Sequence, residues 1–178
     1  MAATAENQEL LKIALKAADL AQENIMKYFQ ASVGVEWKKD NTPVTVADKS
    51  TEEMARKFWE KETPGFGVIG EEFGIENPDA EYQWVIDPID GTKAFIHGVP
   101  LFGTLIALYH KGTPLASLIR IPAMNTAVWA VKDGGAFLDG REIRCSKVAT
   151  LSDSLVLSGT VNTMESTGYG EKYAAVRR

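Results

Sequence analysis

Apolar positions in the first thirty residues follow a helical period. Between Thr4 and Ala31, Leu11, Leu15, Ala18, Ala21, Ile25 and Phe29 recur at steps of three and four, which predicts an amphipathic helix laid over a core. A second helix is expected from about Ser50 to Pro64. Ser50 and Glu53 have capping-box spacing, and Met54, Phe58 and Trp59 form its apolar side. Between the two, Val35 to Val46 reads as extended, with Trp37-Lys38-Lys39-Asp40-Asn41 as a hairpin tip or a mobile loop.

After Pro64 the pattern changes to short β-type runs: Val68-Ile69, Trp84-Val85-Ile86, Thr104 to Tyr109, Leu115 to Ile121, Ala127 to Val131, Ala136 to Leu138 and Leu155 to Leu157. Glycine-bearing turns at His110-Lys111-Gly112, Asp133-Gly134-Gly135 and Asp139-Gly140 predict antiparallel neighbours. Helices first and strands later predict an α+β layered fold. Gly159 to Gly170 is rich in small and polar residues, and a helix-like start follows at Glu171.

Composition narrows the function. The chain has 178 residues, with 19 Lys+Arg against 24 Asp+Glu, so the net charge is 19 − 24 = −5. That excludes a nonspecific nucleic-acid binder, which needs a basic surface. Cys145 is the sole cysteine, which rules out an internal disulfide and a cysteine-based zinc site and fits a reducing, cytoplasmic setting. With two histidines, His97 and His110, a histidine-rich metal site is excluded as well. The sequence reads as having no signal peptide and no membrane span. Gly65-Phe66-Gly67-Val68-Ile69-Gly70 satisfies G-x-G-x-x-G, but a helix precedes it where a dinucleotide site needs a strand, so it reads as a turn into a buried strand.

The chemistry concentrates in Gly70-Glu71-Glu72 and Trp84-Val85-Ile86-Asp87-Pro88-Ile89-Asp90-Gly91-Thr92-Lys93. In both, an apolar run ends in carboxylates, as strands do where open sheets place their sites. Asp-Pro and Asp-Gly are also ordinary turn dipeptides. If the two strands are neighbours, three or four carboxylates gather, and such a cluster persists only when protonated or neutralised by a cation. An oxygen-only ligand set selects Mg²⁺, Mn²⁺ or Ca²⁺. Pro88 stiffens the turn and can aim the Ile89 carbonyl inward. The N–H groups of Gly91 and Thr92 open a short helix, Thr92 to Ile96, that could cradle a phosphate. The local chemistry therefore reads as phosphoryl transfer to water.

At these residues the chain resembles the inositol monophosphatase superfamily of magnesium-dependent phosphomonoesterases. Three motifs stand in order: Pro43-Val44-Thr45-Val46-Ala47-Asp48, Gly70-Glu71-Glu72, and Asp87-Pro88-Ile89-Asp90-Gly91-Thr92. The resemblance implies the layered α/β sandwich of the inositol monophosphatase and fructose-1,6-bisphosphatase type, with N-terminal helices on a largely antiparallel sheet. It implies that Glu71, Asp87 and the Ile89 carbonyl hold one metal ion and that Asp87 and Asp90 hold a second. Two or three Mg²⁺ ions are implied, with Mn²⁺ able to substitute. Asp48 and Thr92, with Glu71, would be catalytic and would activate the attacking water, while Glu71, Asp90, Gly91 and Thr92 would contact substrate. From the residues alone, Asp48 reads as a helix cap.

Lys93-Ala94 after Asp-Gly-Thr, with Phe95, Gly98-Val99-Pro100 and Phe102-Gly103-Thr104, resembles the histidinol-phosphate phosphatase branch more than inositol monophosphatase proper. Asp-Gly-Thr-Lys also occurs in the branch acting on 3′,5′-bisphosphate nucleotides. The implied partner is a small phosphorylated substrate, with neither nucleic acid nor membrane, and the implied assembly is a homodimer. The family's later Trp-Asp motif has no match, and Asp133, Asp139 and Asp153 are no convincing substitutes. The chain is accordingly read as an N-terminal phosphatase domain, 1–140, and the start of a truncated second domain, 141–178, or as an incomplete record of a longer protein.

Overall fold

The computed structural model describes residues 3–31, 34–37, 43–155 and 166–176. The chain divides into two compact units, Met1–Arg144 and Cys145–Arg178. In the first unit two helices lie on an eight-stranded sheet. Helix α1 spans Ala5–Ile25, capped by the Thr4 hydroxyl, which accepts from Asn7 N. It stops at Ile25, and turns carry the chain on through Ala31. Its buried stripe is Leu10, Ala14, Ala17, Ala18, Ala21 and Ile25, rotated from the expected face, since Leu11 and Leu15 lie at the stripe's margin. Small alanines let α1 lie close to the second helix and to the middle of the sheet.

Strands β1 (Val35–Trp37) and β2 (Pro43–Thr45) form an antiparallel pair. The expected tip, residues 38–42, lies outside the described residues. Helix α2 (Val46–Glu62) follows β2 directly, four residues earlier than Ser50. The capping box that starts it is Thr45/Asp48 rather than Ser50/Glu53: the spacing is the same, and Thr45 is where the extended chain of β2 ends.

The sheet runs β10-β9-β8-β7-β6-β5-β3-β4, where β3 is Gly67–Gly70, β4 Gly74–Glu76, β5 Tyr82–Asp90, β6 Gly103–His110, β7 Thr113–Ile121, β8 Thr126–Val131, β9 Gly135–Leu138 and β10 Arg141–Ile143. The turns at Lys111-Gly112 and Asp139-Gly140 have positive φ at both residues, the geometry of tight antiparallel hairpins. Every pairing is antiparallel except β3 with β5, which run parallel. The architecture is α+β, with the core between the helices and one sheet face. At its centre Trp59 of α2 stacks on Trp84 of β5, centroids 4.8 Å apart, and the Trp84 indole donates to the Thr63 hydroxyl at 3.0 Å.

In the second unit the described residues form a single-turn 3-10 segment, Leu151–Asp153, and a helix, Gly170–Val176. Leu155 is not in a strand, and residues 156–157 of that expected run lie outside the described residues. No helix among the described residues is long and apolar enough to cross a membrane.

Ala18 is 1% exposed within this close packing. Ala18→Leu is expected to overpack the interface and cost ~1–3 kcal/mol, read as a lower urea midpoint with an unchanged denaturant slope.

Candidate active site

The parallel pairing decides where the carboxylates go. Gly70, the last residue of β3, is in register with Ile86 of β5, so Glu71, the first residue past β3, comes level with Asp87 of β5. Because the strands run in the same direction, both acids lie at the same end of the pair. Beyond Asp87, β5 does not stop as expected but continues to Asp90 through a bulge. From Asp87 to Asp90, β5 advances three residues while β6 advances two, from Leu105 to Gly103. One extra residue in the bulge re-aims the chain. Pro88 sits inside it, offering no N–H, and its carbonyl accepts the buried Thr104 hydroxyl at 2.8 Å. The Ile89 N–H donates to Asp87 Oδ1 at 3.1 Å and orients that carboxyl.

Gly91 follows at φ +88°, and a Cβ there would come within 3.2 Å of the Leu101 carbonyl. Both facts call for glycine. Helix α3, Thr92–Ile96, then begins as expected. It is anchored by Phe95, which packs edge-on against Phe102 at 5.1 Å and near Phe29 at 5.9 Å. The result is an open cleft of about 230 Å³ lined by Pro43, Glu71, Asp87, Ile89, Asp90, Gly91, Thr92 and Lys93. An apolar hollow of about 280 Å³ adjoins it and shares Asp90 and Gly91, with Leu101, Phe102, Ile119 and Ile121 among its walls.

Asp87 is raised from its ordinary 3.8 to about 7. Burial is the largest cause, followed by the charge of Glu71, a hydrogen bond with the Glu71 side chain and the charge of Asp90. Burial and the neighbouring Glu71 thus favour a protonated Asp87, where a divalent cation would relieve the same repulsion. Among the described residues, no three His, Cys, Asp or Glu side chains converge into a complete metal cage. A bonded carboxyl pair, a third carboxylate acting at longer range and a nearby carbonyl suit Mg²⁺, which takes one or two carboxylates and keeps several waters.

Asp48 does not line the cleft. It is 2% exposed, and its Oδ2 accepts the Thr45 N–H at 2.7 Å and the Thr45 hydroxyl at 2.6 Å. Burial raises its pKa, opposed by these bonds, and the charge of Glu71 adds a smaller push upward. The Thr92 hydroxyl donates to the Ile89 carbonyl at 3.0 Å. Asp48 and Thr92 are therefore each bonded elsewhere. Lys93 is exposed on the rim.

A residue that sequence reading passed over is Glu52, which is fully buried one turn beyond Asp48 and accepts the N–H groups of Glu72 and Phe73. Its i, i+4 spacing to both Asp48 and Arg56 was the available signal.

The inositol monophosphatase family pattern matches residues 6–175. The chain belongs to that family. The histidinol-phosphatase of Chlorobaculum parvum is 41% identical over 148 residues, covering 83% of this chain and 57% of that protein. The inositol-1-monophosphatase of Mesorhizobium japonicum is 33% identical, covering 84% and 58%. Among solved structures, the Thermotoga maritima IMPase superimposes with a TM-score of 0.79 at 28% identity, covering 92% of this chain and 65% of that one. The chain spans 57–65% of the length of the histidinol-phosphatases it matches.

The raised carboxyl gives a stability prediction for this family member in chelator. A group whose pKa is higher folded than unfolded contributes fully below pH 3.8, and that contribution is lost as pH rises through about 7. Asp87→Asn should remove the loss. It is expected to melt above the wild type at pH 8 and level with it at pH 4. The ceiling is ~4 kcal/mol from the shift alone, and roughly half that after screening at the open cleft.

Proposed function

We propose that the chain carries the metal- and phosphate-binding half of a Mg²⁺-dependent phosphomonoesterase, and that its substrate is L-histidinol phosphate, hydrolysed to L-histidinol and phosphate. The observation that carries the reading is the Glu71–Asp87 pair, set level by the parallel strands beside Asp90, Gly91 and Thr92. The choice of substrate is supported by the 41% identity to a protein named histidinol-phosphatase and by Lys93-Ala94 after the Asp-Gly-Thr motif. The relative named inositol-1-monophosphatase makes an inositol phosphate the alternative.

In this reading Glu71, Asp87 and the Ile89 carbonyl would hold one ion, and Asp87 with Asp90 would hold a second. Ions held there would supply charge neutralisation of the phosphate and a more nucleophilic water at neutral pH. The Thr92 hydroxyl, turned away from the Ile89 carbonyl, would take one proton from the attacking water while passing its own to the Asp48 carboxylate, which would first have to release Thr45. Gly91 and Thr92 bind the phosphate through their N–H groups. A new bond forms between water oxygen and phosphorus, the ester P–O bond breaks, and the departing alkoxide takes up a proton.

A second reading rests on the span of the match, 57–65% of those relatives. In it the chain binds metal and phosphate without turnover of its own. Phosphate release from histidinol phosphate and from inositol 1-phosphate, with and without Mg²⁺, tests both. The first reading expects Mg²⁺-dependent release, a higher kcat/KM on histidinol phosphate, and a loss of about 100-fold or more in Asp87→Asn. Mn²⁺ binding with no release on either substrate would move the chain to the second.

A further inference from the structure

Helix α2 buries a polar face in its first turns: Asp48, Thr51 and Glu52 are each exposed by 2% or less. Burying a carboxylate is costly unless every oxygen finds a donor. Glu52 finds four. Arg56, one turn on, donates to Oε1 through Nε at 2.9 Å and Nη2 at 2.7 Å. The Phe73 N–H donates to Oε1 at 3.2 Å, and the Glu72 N–H donates to Oε2 at 2.7 Å. Arg56 is itself held from the other side by the Gly74 carbonyl at 2.6 Å and by Glu76 at 3.0 Å.

A separate observation points to the same contact. A Cβ built on Gly70 would fall 1.8 Å from Glu52 Oε1, an impossible overlap. Glycine is needed at position 70 because the Glu52 carboxylate occupies the space a side chain would take. The carboxylate therefore grips the turn between β3 and β4 at Gly70, Glu72 and Phe73, on both sides of Glu71. Nothing else in the proposed chemistry uses Glu52, which lies outside the cleft.

We infer that Glu52, oriented by Arg56, is a positioning residue that fixes the backbone around Glu71 and so sets the Glu71 carboxylate beside Asp87 for cation binding. The inference rests on the proposed metal-binding role of Glu71 and Asp87. Its effect runs through backbone N–H groups, so the carboxylate matters as a double acceptor, and an amide in its place supplies one acceptor and a mismatched donor.

The test measures Mn²⁺ affinity of the full chain by calorimetry, well below the melting temperature of each variant, for wild type, Glu52→Gln and Trp59→Phe. Trp59 lies on the same helix and packs in the core, so Trp59→Phe is a control for destabilisation alone. Glu52→Gln is expected to lose about 10–100-fold in Mn²⁺ affinity, while Trp59→Phe keeps the wild-type value. Equal affinity in wild type and Glu52→Gln, or equal losses in both variants, would overturn the inference.

Hydrogen exchange on the unsubstituted chain gives an arm that needs no variant. The Glu72 and Phe73 amides are expected to be protected like those of α2, and exchange at the rate of an open loop would overturn the inference even if Glu52→Gln fails to fold. If wild type binds no Mn²⁺, the proposed function fails, and the exchange result alone then decides whether Glu52 holds the turn.

Discussion

The candidate site depends on one pairing, the parallel contact between β3 and β5 in a sheet that is otherwise antiparallel. Antiparallel neighbours place successive strand ends at opposite edges, and two acids following two such strands would be separated by the length of the sheet. The parallel pair brings Gly70 opposite Ile86 and sets Glu71 level with Asp87 at one end of the pair. Two carboxyls placed there repel, and with burial this raises Asp87 to about 7, so that its protonated form is favoured in the absence of a cation. The fold thus maintains a local electrostatic conflict that a divalent cation can resolve.

Around that pair the structure spends buried polar groups freely. The Thr45/Asp48 capping box, the Glu52–Arg56 pair and the Thr104–Pro88 bond all lie within or under the elements that bear the cleft. Each replaces apolar packing with directed hydrogen bonds, which add little net stability but fix geometry. The apolar load is carried elsewhere, by the alanine stripe of α1, the Trp59–Trp84 stack and the interior of β6 and β7. A second apolar cluster, with Phe29, Phe95 and Phe102, holds α3 at the cleft wall. Core and site thus share the same helices and strands, and Ile89 serves both, with its side chain in the second cluster and its backbone at the cleft.

The six strands from Val68-Ile69 to Ala136–Leu138 were legible as short apolar runs, several of them bounded by glycine turns, and α3 because Gly91 interrupts the chain before it. The short strands β4 and β10 were not, since Gly74–Glu76 is exposed throughout and Arg141–Ile143 nearly so, and neither carries a buried pattern. The start of α2 was misplaced because two successive segments, 45–48 and 50–53, offer the same capping spacing and tertiary context chose the earlier one. The acids of the site were visible as residues at strand ends. Their meeting depended on strand direction, which local pattern does not encode. Glu52 was hidden for a related reason: a glutamate four residues before an arginine is an ordinary surface pair, and only the β3–β4 turn lying over it makes it a buried one.

The central claim is that Asp87, buried against Glu71, holds a proton in the place of a cation. The most direct measurement is the number of protons released when Mn²⁺ binds, obtained by calorimetry in buffers of different ionisation enthalpy between pH 6 and pH 9. The account predicts release of close to one proton at pH 6, falling through about half near pH 7 and vanishing by pH 9. Mn²⁺ binding with no proton release at pH 6, or with release that does not vary across this range, would contradict it.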